Sequence, residues 1–141
     1  METTLLSKLQ LDYFESLTNL KIDPHKTALS EEEAMLIHSD NSAFIATTAY
    51  LNNIENICAA VEIGSVDEDC AYAVHANGVL RSYYKFKTFI DYLRKKLSDD
   101  EIYIEIEKVA CKWGEMDSCT IKKREKMKKP EPSKKGAQKK V

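Results

Sequence analysis

The sequence contains few glycines and prolines, four and three respectively among 141 residues. All-β domains need many turn residues of these types, so their scarcity argues against a sandwich or barrel and favours helices joined by short connections. An apolar content of 43% is enough for one hydrophobic core in a chain of this length. We therefore expect a single helical domain.

Other absences exclude whole classes of protein. No two of the four cysteines have the spacing of a zinc knuckle and no histidine pair accompanies them, so we predict no metal site and no cofactor. The cysteines are instead predicted to be small buried hydrophobic residues. The first twenty residues lack the apolar core of a secretory signal, and no uncharged apolar run approaches the roughly 18 residues of a membrane span. These absences predict a cytoplasmic protein with reduced thiols.

The net charge of −2 conceals two regions of opposite sign. Residues 122–141 contain ten Lys or Arg and two Glu, whereas residues 1–121 contain eleven basic and twenty-one acidic side chains. From residue 120 onward apolar side chains are almost absent. We predict a helical domain over residues 1–119 and a disordered basic tail over residues 120–141, named the Lys-rich segment.

Apolar periodicity and repeated start signals predict the helices. The S-x-x-E capping box begins at Ser30, at Ser65 and at Ser98. The run EIYIEIE alternates as a strand would, but the box before it and its 4-3-4 apolar spacing favour a helix. Helices are predicted over residues 4–20, 31–38, 42–63, 67–76, 79–97 and 99–113. The expected fold is an all-α bundle of five to six helices.

Two glycines are predicted to end helices. Gly64 follows the third helix and is placed to adopt a left-handed conformation there. The pair Asn77-Gly78, which also favours left-handed backbone, is predicted to separate the fourth helix from the fifth.

The stretch Ile57–Gly78 concentrates glycine, cysteine, histidine and carboxylates, as a functional site would. A DNA-reading second helix is disfavoured because it would bring Asp67, Glu68 and Asp69 to the phosphates without any Lys or Arg. Adjacent helical carboxylates do not converge on one cation, so capping explains them better than metal binding. Cys70 and His75 are five residues apart and poorly aligned for a nucleophile–base pair. We therefore predict no catalytic residues.

A basic face on the helix over residues 79–97 is the strongest candidate for partner binding. Arg81, Lys85, Tyr92 and Lys95 are predicted to lie opposite its apolar seam. This face suits an anionic partner, either nucleic acid or an acidic protein. The bland alternative, which the sequence favours, is a solvated helix face or one paired with the acidic helices of the same protein.

Four short motifs occur in order: Leu51-Asn52-x-x-Glu55, Ala60-x-x-x-Gly64-x-Val66-Asp67-Glu68, Ile90-x-x-x-Arg94 and Glu107-Lys108-Val109-Ala110-x-x-Trp113. Together, over about residues 50–113, they resemble a family of bacterial and prophage helical domains of unknown function. The resemblance implies an all-helical domain without an established activity, and a phage or mobile-element origin. Many such relatives look membrane-anchored through an apolar N-terminal helix. Residues 1–20 are amphipathic and charged, so that anchor is not carried over.

The polar motif residues Asn52, Glu55, Asp67, Glu68 and Arg94 are predicted to be structural. An ion pair between Glu55 and Arg94 is hypothesised to fix the register of two long helices. Glu62 and His75 have no structural explanation in this interpretation.

The sequence therefore favours a small non-enzymatic interaction or regulatory protein. Its partner is expected to be another protein, bound by the basic face or by an apolar groove beside the first helix. The alternatives are an accessory nucleic-acid binder that uses Arg81, Lys85, Lys95 and the Lys-rich segment, and an uncharacterised enzyme.

Overall fold

The computed structural model describes residues 5–115. Within that range five α-helices form and no strand is present. The helices are α1 (Leu5–Asn19), α2 (Glu31–Ser39), α3 (Asn41–Glu62), α4 (Glu68–Leu97) and α5 (residues 104–115). The predicted all-α bundle is confirmed. The predicted domain boundary at residue 119 and the predicted disorder of the Lys-rich segment lie outside the described residues.

The two long helices α3 and α4 form the centre of the bundle. They run antiparallel, since Phe44 lies near Phe89 at one level and Tyr50 hydrogen-bonds Ser82 at 2.7 Å further along. α1 packs on both through Tyr13, whose ring centroid lies 4.6 Å from that of Tyr50 in α3 and 5.3 Å from that of Phe86 in α4. Burying each such large side chain stabilises the fold by about 1.5–3 kcal/mol.

The shorter helices cover the remaining sides of this pair. α2 packs against both α3 and α4, and its His38 ring lies between Phe44 and Tyr92, with centroid distances of 5.5 and 5.2 Å. α5 adds four buried apolar side chains to the core: Ile106, Val109, Ala110 and Trp113.

The first capping box forms as predicted. Ser30 accepts a hydrogen bond from the Glu33 backbone N–H, and the Glu33 carboxylate accepts one from the Ser30 N–H. Lys26 binds the same carboxylate at 2.6 Å. This contact and the Ser30 bond hold the pKa of Glu33 below its usual value. α2 therefore begins at a doubly satisfied cap.

Gly64 ends α3 as predicted. Its φ of +75° is left-handed, and the N–H of Ser65 reaches the Ala60 carbonyl at 3.0 Å while that of Gly64 reaches Val61 at 3.1 Å. This pair of bonds is a Schellman motif, which satisfies carbonyls that the helix end would otherwise leave open.

The second predicted box is wrong in its cap residue. Asp67, not Ser65, caps α4 by accepting the Cys70 N–H at 3.1 Å, and the Ser65 hydroxyl donates to the Ala60 carbonyl. The predicted break at Asn77-Gly78 is also wrong, because α4 continues through it as one helix of 30 residues. Glycine within a helix lowers stability by only about 1 kcal/mol. Burial of residues before and after it, such as Ala71 and Val79, stabilises the continuous helix by more than that.

The third predicted box is wrong as well. Ser98 adopts a left-handed conformation, with φ of 51°, at the C-terminal end of α4, and α5 begins only at residue 104. Another left-handed residue, Tyr103 (φ 57°), precedes α5 directly. The cap of α5 comes from a different helix.

Candidate interaction groove

The predicted basic face does not form as one surface. Arg81 and Lys95 are exposed, and Tyr92 is half-buried beside His38. Lys85 is buried, with 8% of its surface exposed, so its placement on an exposed face is wrong. The buried side of α4 is wider than the apolar seam predicted from the sequence. It includes Lys85, which α1 covers.

Lys85 instead joins α4 to α1 and to the loop that follows α1. Its ammonium group donates to the Pro24 carbonyl and to the Tyr13 hydroxyl, the latter at 3.3 Å. It lies 4.8 Å from the centroid of the Tyr13 ring and 5.0 Å from that of Phe14, distances typical of cation–π contacts. Burial lowers the pKa of Lys85 to about 8, although Asp23 opposes the shift.

The polar motif residues of α3 hold α5 in place. The Glu55 carboxylate accepts the backbone N–H of Ile106 at 2.9 Å and that of Glu105 at 3.3 Å. Asn52 accepts the Tyr103 hydroxyl at 2.8 Å. Burial raises the pKa of Glu55 despite these bonds. Asn52 and Glu55 therefore position the start of α5 against α3.

The hypothesised ion pair between Glu55 and Arg94 is wrong. Arg94 pairs with Glu107 of α5 at 2.7 Å and donates its Nε–H to the Ile102 carbonyl at 2.9 Å. Glu55 is already engaged by backbone amides. Sequence spacing placed both side chains on facing helices. It did not reveal that both would bind α5 or the residues just before it instead of each other.

The far end of α5 is held by α4 and by the end of α3. Glu68 accepts the indole N–H of Trp113 at 3.0 Å and pairs with Lys112 at 3.1 Å, and these contacts hold the pKa of Glu68 below its usual value. Glu62 also pairs with Lys112, at 3.0 Å. Glu62 therefore has a structural explanation that its position in the sequence did not provide.

The cysteines differ in their surroundings. Cys58 is buried as predicted, and burial with nearby Glu55 raises its pKa to about 12. Cys70 and Cys111 are exposed, so the prediction of buried thiols is wrong for them. A hydrogen bond to Asp67 raises the pKa of Cys70, which makes its thiol a weak nucleophile at neutral pH. Cys119 lies outside the described residues.

An open groove lies between α3 and the first turns of α4, and it contains His75. Its volume is about 480 Å³. The α3 wall is formed by Asn53, Asn56, Ile57 and Ala60. The opposite wall is formed by Val66 and Asp67, which precede α4, and by Cys70, Ala71, Val74 and His75 of α4. Val74 is 74% exposed and Val66 44% exposed. Apolar side chains thus face solvent along a concave surface, although the groove does not lie beside α1 as expected.

The family comparison identifies the kind of domain. A family model described as a domain of unknown function, DUF4760, matches residues 3–113. The chain belongs to the DUF4760 family. This match confirms the resemblance to a family of unknown function. Comparison with curated proteins gave no significant match, and neither did comparison with solved structures.

The walls of the groove come from a part of this DUF4760 domain in which all charged side chains are acidic. Residues 27–80, which include α2, α3 and the groove wall of α4, contain nine Asp or Glu and no Lys or Arg. Lysine does approach from α5, but Lys112 is neutralised by Glu62 and Glu68. This run without basic residues is visible in the sequence and predicts an acidic surface over these helices, but it does not locate the groove within that surface.

Neither a metal centre nor a membrane span is found in the described part of this DUF4760 domain. Within residues 5–115, no cluster of three or more His, Cys, Asp or Glu is arranged to hold a metal ion. None of the helices formed by these residues combines the length and apolar character needed to cross a bilayer.

Proposed function

We propose that this DUF4760 domain is a small non-enzymatic interaction protein that binds another protein in the groove between α3 and α4. The observation that carries the proposal is the row of exposed apolar side chains along a concave surface. Val66 and Val74 remain in solvent while Ile57 and Ala60 line the opposite wall. Exposed apolar side chains gathered on a concave surface are typical of protein-binding grooves.

The chemistry of the groove defines the partner. Its apolar floor suits one face of an amphipathic helix, whose side chains at helical spacing fill such a groove. The absence of Lys and Arg from residues 27–80, together with Asp67 at the wall, favours Lys or Arg beside the apolar residues of that helix. The amides of Asn53 and Asn56 provide hydrogen bonds at the opposite wall.

A designed peptide that stands in for the natural partner tests the proposal. The probe is a fluorescent amphipathic helix of about 15 residues with leucine on one face and lysine on the other. We expect the full chain to bind it, and Val74→Asn to weaken binding at least about fivefold, equivalent to roughly 1 kcal/mol. Neither the net charge nor the core changes in this variant, because Val74 is 74% exposed.

Ile45→Asn is the matched control. Ile45 is also an exposed apolar residue, at 57%, and lies on α3 outside the groove lining. It should leave peptide affinity unchanged, and a peptide with glutamate in place of lysine should bind more weakly. Equal loss in both variants, or none in Val74→Asn, would show that the groove is not the binding surface.

The nucleic-acid alternative receives less support. Of the three α4 cations predicted to bind nucleic acid, Lys85 is buried in contact with Tyr13. Only Arg81 and Lys95 of these three are exposed. A gel shift at about 50 mM salt with Arg81→Gln/Lys95→Gln tests it, since phosphate contacts are strongest at low salt. If the wild type shifts the nucleic-acid band and the double variant does not, nucleic acid would be favoured as the partner.

A further inference from the structure

We propose that the Lys-rich segment of the same chain occupies the groove between α3 and α4 and competes there with the partner. This inference rests on the proposed function, because it concerns regulation of the same surface. The protein would then limit access to its own binding site, and a partner would have to displace the segment.

The end of α5 lies within reach of the groove. Trp113 packs edge-on against Tyr72, with ring centroids 5.5 Å apart, and the neighbour of Tyr72 in the chain, Ala71, lines the groove. The six residues from 116 to 121 span up to about 20 Å when extended, whereas an α-helix with its side chains is about 10–12 Å across. The chain after α5 is therefore long enough to pass around α4 and bring residue 122 to the groove.

Charge favours this occupant over most others. Residues 122–141 carry a net charge of +8, and residues 27–80 carry nine carboxylates without a single Lys or Arg. Asp67 lies in the groove wall and Asp69 is exposed in the same turn of α4. Attraction between these surfaces is strongest at low salt and is screened over about 8–10 Å at physiological ionic strength.

The Lys-rich segment also contains apolar side chains, which the apolar lining of the groove would accept. Ile121 and Met127 are its large apolar residues before Val141, and lysine or arginine stands next to each. This is the composition that the groove is expected to select. Because the segment is covalently attached, its effective concentration reaches the millimolar range, so even weak intrinsic affinity fills the groove.

Cys70 provides a direct measure of occupancy in the full chain. It is exposed and lines the groove, whereas Cys111 is exposed on α5 and serves as an internal control. The rate of iodoacetamide alkylation at each thiol is followed by mass spectrometry in the wild type and in a variant with six glutamines. The substituted residues are Lys122, Lys123, Arg124, Lys126, Lys128 and Lys129.

We expect Cys70 to react several-fold faster in the glutamine variant and Cys111 to react at the wild-type rate. The direction is diagnostic, because loss of nearby positive charge would by itself raise the thiol pKa and slow the reaction. An unchanged or slower rate at Cys70 would overturn the proposal. The substitutions lie outside the helical core, so both proteins should show the same far-UV circular dichroism.

Peptide binding separates this inference from the proposed function. If both hold, the glutamine variant binds the amphipathic lysine peptide more tightly than the wild type does. Equal affinity in the two proteins would refute occupancy by the Lys-rich segment but keep the groove as a binding site. Absence of binding in both would refute the proposed function.

Cross-linking identifies which chain supplies the segment. A carbodiimide joins lysine amines to carboxylates in direct contact, and an equal mixture of ¹⁵N-labelled and unlabelled protein marks each product as intrachain or interchain. We expect intrachain links from the lysines of residues 122–129 to Asp67 or Asp69. Intrachain links never combine the two labels, so products that join a labelled to an unlabelled chain in the statistical proportion would assign the segment to a second copy and overturn the same-chain proposal.

Discussion

Ile106, in the first turn of α5, donates its backbone N–H to the Glu55 carboxylate of α3 at 2.9 Å. The second carboxylate oxygen accepts the Glu105 N–H at 3.3 Å. A helix start leaves several N–H groups without partners, and here a side chain from a distant helix satisfies two of them. Glu55 is therefore the N-terminal cap of α5, supplied by tertiary structure.

Replacing Glu55 tests this cap. Glu55→Ala leaves two amide groups without acceptors and should lower the free energy of unfolding by about 1–3 kcal/mol. Glu55→Gln should lower the free energy of unfolding by less, because glutamine keeps one acceptor oxygen and carries no charge. Burial already disfavours the charged form of Glu55, as its raised pKa indicates. Urea denaturation measures both. A larger loss in Glu55→Gln than in Glu55→Ala would contradict the role of cap.

Glu68 tests the other end of α5. Glu68→Ala leaves the indole N–H of fully buried Trp113 without its acceptor, which should cost about 1–3 kcal/mol. Asp69→Ala is the matched control, since it removes an exposed carboxylate from the same turn and loses at most about 1 kcal/mol of dipole interaction. Trp113 is the single tryptophan, so its fluorescence reports directly on α5. Equal effects of the two substitutions would show that the indole contact is not stabilising.

The sequence predicts the helices where the evidence is local. The Ser30 box and the left-handed Gly64 depend on residues a few positions apart, and both formed as expected. The predictions at Ser65 and Ser98 failed because better partners, Asp67 for α4 and Glu55 for α5, were available. One of these is 51 residues from the amide it binds, and no local rule includes it.

The candidate site shows the same division. Periodicity gives the apolar side of α4 but not its width, so it did not predict that α1 would bury Lys85. The groove is lined by side chains of both α3 and α4, so the residues of either helix alone do not specify it. The charge that surrounds it was readable, because residues 27–80 contain no Lys or Arg.

Lys85 should give the protein a measurable pH dependence. Its pKa in the folded protein is about 8, below the usual 10.5. The unfolded chain therefore binds more protons between these values, and this residue makes stability rise with pH across that window. The cost of the buried charge is fully present below pH 8.

Comparison with Lys85→Met isolates this effect. Between pH 7 and pH 9 the wild type should gain about 1 kcal/mol relative to the variant. Urea denaturation at the two pH values measures the difference. The tyrosine and cysteine groups are common to both proteins, although Tyr13 contacts the substituted side chain. If the difference in free energy of unfolding between the two proteins is the same at both pH values, or if the wild type loses stability relative to the variant, Lys85 does not titrate in this range.

Gly78 offers a prediction in the stabilising direction. It lies within α4, and a Cβ built at this position meets no atom within 4 Å. Alanine is favoured over glycine in a helix interior by about 1 kcal/mol, partly because it restricts the unfolded chain. Gly78→Ala should therefore raise the midpoint of thermal unfolding by several degrees.

Gly64→Ala is the contrasting control, because the space around Gly64 is equally open but its φ is +75°. An alanine Cβ is strained in that left-handed conformation, so this substitution should lower the midpoint by an amount that corresponds to roughly 1 kcal/mol. Opposite signs at two equally uncrowded glycines would isolate backbone conformation as the cause. Destabilisation by Gly78→Ala would mean instead that α4 is interrupted at this residue, as the Asn-Gly pair by itself predicts.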